Sequence, residues 1–149
     1  MNLSNPEELI SAYKDLESRL GTRVVVQEMV TEGVELLFGV IDDPQFYSLL
    51  MVGIGGILVE VMKDTQLIWL PTDAEKVEEA IRGLKFAEIL NGVRGQAKSD
   101  PNAIVETALR LAQLAADCGD LIAELDINPL IAGPKGGVVV DALIIPKKE

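Results

Sequence analysis

Glu124-Leu125-Asp126-Ile127-Asn128-Pro129-Leu130, followed after Gly133-Pro134-Lys135-Gly136-Gly137 by Val138-Val139-Val140-Asp141, is the stretch that decides how the chain is read. Side chains alternate across an extended strand, so Glu124, Asp126 and Asn128 share one face while Leu125 and Ile127 take the other. A hairpin turning at Pro134-Lys135 sets Asp141 opposite Asn128. Cross-strand neighbours on one face have Cβ atoms about 4.5–5.5 Å apart, near enough to share a cation. Asn and Asp offer hard oxygen donors, and magnesium takes a few of these together with phosphate oxygens. A solvated outer face, with Asn-Pro merely ending a strand, fits the same letters. Asp126, Asn128 and Asp141 are therefore a candidate metal–phosphate site.

A chain of 149 residues suits one domain with its own core, and 48% hydrophobic residues exclude a disordered tail. Acidic residues outnumber basic ones by 24 to 13, a net charge of −11. That field opposes binding to nucleic acid or to anionic membranes, so neither is expected as a partner. An anionic nucleotide needs magnesium and local backbone donors to overcome it. The lone Cys118 excludes an intrachain disulfide and fits a reducing cytoplasm; it lies in an apolar helical run as a buried structural thiol. Neither a basic, apolar leader nor an apolar run of about 20 residues is present, so a soluble, cytoplasmic protein is expected. Histidine is absent, which removes the commonest general base and any phosphohistidine from this chain.

Along the chain, Ser4-Asn5-Pro6-Glu7 reads as a capping box with Ser4 as N-cap, opening a helix that Gly21 closes. β-Rich runs follow at 23–29, 35–41, 48–52, 57–62 and 66–70, separated by short breaks that imply antiparallel pairing. Asp73 caps a helix through Val77, Ala80, Ile81 and Leu84, and a short turn covers Phe86 to Leu90. Asp100-Pro101 opens a longer helix to Cys118. The expected class is α+β: a largely antiparallel sheet first, packed helices next, and a closing β-hairpin that returns to the sheet.

Other candidates stand beside plain structural readings. Gln27 and Glu28 leave an apolar strand where core packing does not require them, and Glu35 opens the next strand; each is also an ordinary edge residue. Gly53-Ile54-Gly55-Gly56 permits positive φ and an anion nest, or simply a tight hairpin. Arg94, in a glycine-flanked loop, is a phosphate ligand or a solvated side chain. Lys63-Asp64 reads as a surface ion pair or turn.

Together these segments resemble the ATP-grasp domain, or β subunit, of NDP-forming acyl-CoA synthetases of the ADP-forming acetyl-CoA synthetase type, and more distantly the succinyl-CoA synthetase β subunit. The resemblance rests on Val26-Gln27-Glu28-Met29-Val30, Gly33-Val34-Glu35, Asp43-Pro44-Gln45-Phe46, Met51-Val52-Gly53-Ile54-Gly55-Gly56-Ile57 and Val59-Glu60. It continues through Gly92-Val93-Arg94-Gly95, the Glu124–Leu130 run and Val140-Asp141-Ala142, in family order. It implies that Gln27, Glu28 and Met29 form the hinge that holds adenine and that Glu35 binds the ribose. Gly55 and Gly56 belong to the nucleotide site, Arg94 faces the phosphates, and Asn128 and Asp141 bind Mg2+ with Asp126 nearby. ATP/ADP and Mg2+ are the implied cofactors. In the family, phosphate passes between ATP and a phosphohistidine as acyl-CoA is made or cleaved.

Two departures accompany the resemblance. The family's further N-terminal stretch, with a nucleotide-binding lysine, a His-Lys pair and a glycine-rich loop, has no counterpart before Met1. Residues 1–30 then count as a remnant of the small lobe with the hinge, and 31–149 as the C-terminal lobe, within one ATP-grasp-like domain. Second, Ile68 stands where the family carries a phosphate-binding arginine. The expectation is the nucleotide-binding component of an acid–thiol ligase, inactive without a partner that supplies the missing lobe, the CoA site and the phosphohistidine. The alternative is a non-catalytic binding or oligomerisation module whose unpaired strand edge favours a homo-oligomer.

Overall fold

The computed structural model describes residues 2–56, 63–93, 95 and 97–147. Two compact units emerge, Met1–Thr31 and Glu32–Glu149. The expected strand at 57–62 lies outside the described residues.

The first unit holds helix α1 (Pro6–Leu20) and an extended segment after it. The cap sits one residue later than the sequence suggests. Asn5, not Ser4, is the N-cap: its Oδ1 accepts from the Glu8 amide at 2.9 Å, while Glu8 Oε2 accepts from the Ser4 amide at 2.8 Å. Proline explains the shift, because Pro6 belongs at the first helical position, where no amide hydrogen is needed. The run 23–29 forms no ladder among the described residues, contrary to the strand expected there. A strand exists only with a partner to take its backbone groups, and none is described for this one. Val25 (86% exposed) and Val26 (67%) keep their apolar side chains in solvent.

The second unit is built on a sheet of order β3-β2-β1-β4-β5, with β6 also pairing with β4. Its strands are β1 (Val34–Asp43), β2 (Tyr47–Ile54), β3 (Thr65–Trp69), β4 (Ile122–Gly133), β5 (Gly136–Val139) and β6 (Ala142–Pro146). Every described pairing is antiparallel. Between β3 and β4 come helix α2 (Ala74–Arg82), a 3-10 turn (Ala87–Asn91) and helix α3 (Pro101–Cys118). Asp73 and Asp100 cap the two helices as expected. Ile104, Ala108, Leu111 and Ala115 of α3 recur at helical spacing and pack with Val77 of α2 into a core with Leu36, Phe38, Leu50, Val52 and Ile68. The closing hairpin returns to lie beside β1, at the centre of the sheet.

A register shift between β4 and β1 shapes the site. Leu36 faces Leu130 but Phe38 faces Ile127, so β4 carries one extra residue between these pairs. Such a bulge rotates the strand and reverses its alternation. Leu125 and Ile127 are buried before it, Leu130 and Ala132 after it. Asn128 is exposed at this break.

Candidate functional site

The hairpin closes as its turn residues dictate. Gly133 pairs with Gly136, Leu130 with Val139, and the same register continues into β6, where Ile127 faces Ala142. Asn128 and Asp141 therefore stand opposite each other, and the Asn128 amide donates to the Asp141 carbonyl at 3.2 Å. Asp126 lies two residues before Asn128, with Gly39 across from it on β1. Burial pushes the Asp126 carboxyl above its usual range, and the neighbouring charges of Glu124 and Asp141 push it further. Asp141 Oδ1 accepts from the Ala142 amide at 2.9 Å, leaving its second oxygen available.

The donor set fits magnesium better than a closed cage would. Among the described residues no cluster of three or more His, Cys, Asp or Glu side chains closes around an ion. Two carboxylates and an amide oxygen suit a cation that keeps waters and takes further ligands from phosphate.

A second group of expected residues also meets. Glu35 lies near the start of β1, and the Gly55 amide donates to the Glu35 carbonyl at 2.6 Å. Gly56, with φ of +80°, packs against the Glu35 carboxylate. Four residues along β1 separate Glu35 from Gly39, the partner of Asp126, a run of about 13 Å at strand rise. Glu35 and the acidic hairpin thus occupy two stations along neighbouring strands of one sheet.

Gln27, Glu28 and Met29 are exposed in the first unit, where they line a groove of about 610 Å3 with Tyr13 and Leu16 of α1. Arg94 lies outside the described residues. Ile68, where the resemblance sets a phosphate-binding arginine, is buried in the helix-side core opposite Leu50. One reading needs correction. Asp64 is no surface residue: it is 4% exposed and accepts from the amides of Lys85 (2.8 Å) and Phe86 (3.0 Å). Ser99, which no motif marks, is buried, and its hydroxyl donates to the Ala132 carbonyl at 2.8 Å, tying the loop before α3 to β4.

Residues 1–145 match the family model described as an ATP-grasp domain. The chain belongs to the ATP-grasp family. This ATP-grasp chain is 35% identical, over 99% of its length, to the acetate–CoA ligase (ADP-forming) II subunit beta of Pyrococcus furiosus. It is 32% identical to the corresponding I subunit beta of the same organism, over 97% of its length. It spans 66% of both relatives, just under two thirds of their length. A 4-hydroxybutyrate–CoA ligase (ADP-forming) of Nitrosopumilus maritimus is 35% identical, and the match covers 20% of that longer protein. In structure the chain is similar to the dinucleotide-forming acetyl-coenzyme A synthetase 1 of Ca. Korarchaeum cryptofilum, solved with coenzyme A and Mg-AMPPCP. The TM-score is 0.90 at 37% identity, over 99% of this chain and 67% of that one. An ATP citrate lyase from Methanothrix soehngenii shares the fold alone, at 14% identity and a TM-score of 0.56.

Proposed function

We propose that this ATP-grasp chain holds the magnesium–nucleotide end of an ADP-forming acyl-CoA synthetase. The observation that carries the reading is the Asn128–Asp141 pair beside Asp126, whose carboxyl is held high by burial and then by its acidic neighbours. Asp126, Asn128 and Asp141 hold Mg2+, which neutralises phosphate charge when bound. Glu35 accepts hydrogen bonds from the ribose hydroxyls of ATP or ADP, with Gly55 and Gly56 beside it. Gln27, Glu28 and Met29 form the adenine hinge within residues 1–30, which belong to the small lobe and hinge, and 31–149 form the C-terminal lobe. Arg94 faces the phosphates, a role that rests on sequence alone.

The chain's own contribution is positioning and charge neutralisation, the main terms in phosphoryl transfer generally. Activity requires a partner that carries the CoA site and the phosphorylated histidine, since this chain has no histidine. Relatives named as β subunits support that division of labour. The apolar outer edge of the sheet, with Val138, Val139, Leu143, Ile144 and Ile145 all at least 40% exposed, supports contact with another chain. No helix is long and apolar enough to cross a membrane, and a cytoplasmic location fits a nucleotide-dependent ligase.

The test is nucleotide binding by titration calorimetry in the presence of magnesium. Wild type binds Mg-ATP or Mg-ADP, and Asn128→Ala and Asp141→Ala each remove the magnesium-dependent part of the affinity. If both variants bind like wild type, the hairpin is not the metal site.

A further inference from the structure

The nucleotide reading does not explain why two successive glycines follow β2. Two contacts, both to Glu35, supply a reason. A Cβ at Gly55 would lie 2.8 Å from the Glu35 carbonyl carbon and 2.9 Å from its oxygen, a collision with main chain that cannot easily give. A Cβ at Gly56 would lie 2.6 Å from Glu35 Oε2, the far end of the side chain, and 3.5 Å from Cδ. The Gly55 amide holds the Glu35 carbonyl at 2.6 Å, one step beyond Leu36↔Ile54, the last ladder pair of β1 and β2. Gly55 thus fixes where the Glu35 backbone lies, and Gly56 leaves open the space into which its carboxylate settles.

We propose that Gly55-Gly56 is a positioning element that sets the direction of the Glu35 carboxylate and so makes the site selective for a ribose diol over 2′-deoxyribose. The inference rests on the reading of Glu35 as the ribose ligand. A carboxylate on three free torsions loses much of its hydrogen-bonding advantage to side-chain entropy. Glu35 is exposed, and the space beside Gly56 is where its carboxylate lies, so keeping that space open lowers the ordering cost when the ligand arrives. The two glycines differ in consequence. A methyl group at 55 strikes main chain and disturbs the end of the β1–β2 hairpin. At 56 it displaces only the carboxylate, apart from the strain of a side chain at φ of +80°.

Affinity for Mg-ATP and Mg-2′-deoxyATP, measured on the full chain, separates the possibilities. Wild type prefers ATP roughly tenfold to a hundredfold, the range for hydrogen bonds to a charged group. Gly56→Ala keeps a cooperative thermal transition but loses most of the preference, as does Glu35→Ala, and the double variant loses no more than Glu35→Ala alone. Should Gly56→Ala fail to fold, Gly56→Asn places the same steric block on a residue that tolerates positive φ. A folded Gly56 variant that keeps the full preference overturns the positioning role while leaving the ribose reading intact. Equal binding of both nucleotides by wild type overturns the ribose reading, and the inference with it. Binding of neither removes the nucleotide site altogether.

Discussion

At the scale of single residues, Asp126 carries a test of the site that needs no ligand. Its carboxyl titrates above its usual range because burial and the charges of Glu124 and Asp141 disfavour the ionised form. The folded state therefore binds this proton more readily than the unfolded chain does. The resulting stability is present below the unfolded carboxylate range and is lost as pH rises through the raised pKa. Urea titrations in EDTA at stepped pH read this directly. Asp126→Asn is expected to be more stable than wild type near neutrality, with a flatter stability profile on the acid side. A profile parallel to wild type would mean that neither burial nor Glu124 and Asp141 raise the Asp126 carboxyl. Asp64 gives the opposite lesson about side-chain burial. Asp64→Ala leaves the amides of Lys85 and Phe86 without their acceptor and is expected to cost about 2–3 kcal/mol in the same titration, the range for bonds to a charged group. Neither partner could be read from the letters, because they lie 21 and 22 residues along the chain and meet Asp64 only through the fold.

At the scale of elements, legibility followed how local the determinant is. The Pro134-Lys135 turn fixes the hairpin register, so Asn128 opposite Asp141 was readable without knowing the sheet around it. The Asp73 and Asp100 caps are local too, and both helices begin where the sequence puts them. The bulge in β4 is set by the pairing of Leu36 and Phe38, nearly a hundred residues upstream, and leaves no mark in the alternation until Leu130. The segment 23–29 has strand composition without a described strand partner, so its letters report a preference that packing has not realised. The sheet also makes a quantitative contrast. Leu50 is fully buried between β1 and β3 beneath the helices, and Leu50→Ala is expected to cost about 2–5 kcal/mol. Leu143 on β6 is 56% exposed, so Leu143→Ala should fall within about 0.5 kcal/mol of wild type. Thermal or chemical unfolding of the two variants side by side checks whether the core lies on the helix side.

At the scale of the whole molecule, the −11 charge and the acidic hairpin set the terms on which a nucleotide can bind. Free ATP is a polyanion entering a negative field, and its phosphates would approach Asp126 and Asp141, both acidic, at the hairpin. On the proposed reading, magnesium held by Asp126, Asn128 and Asp141 would offset that repulsion, so metal and nucleotide should bind with positive coupling. By linkage the coupling is reciprocal: ATP must raise the affinity for magnesium by the factor that magnesium raises it for ATP. In thermal unfolding, Mg-ATP at about a hundred times its dissociation constant should stabilise the chain by about 2.7 kcal/mol, while ATP in EDTA gives no shift. Salt provides the control. Screening over a Debye length of about 10 Å at 0.1 M weakens long-range repulsion, so any residual binding of metal-free ATP should strengthen as ionic strength rises. Coordination at Asn128 and Asp141, as proposed, would be short-range, and the magnesium dependence should persist across the same salt series. If magnesium-free ATP stabilised the chain as well as Mg-ATP at low salt, the acidic hairpin could not be the phosphate end of the site.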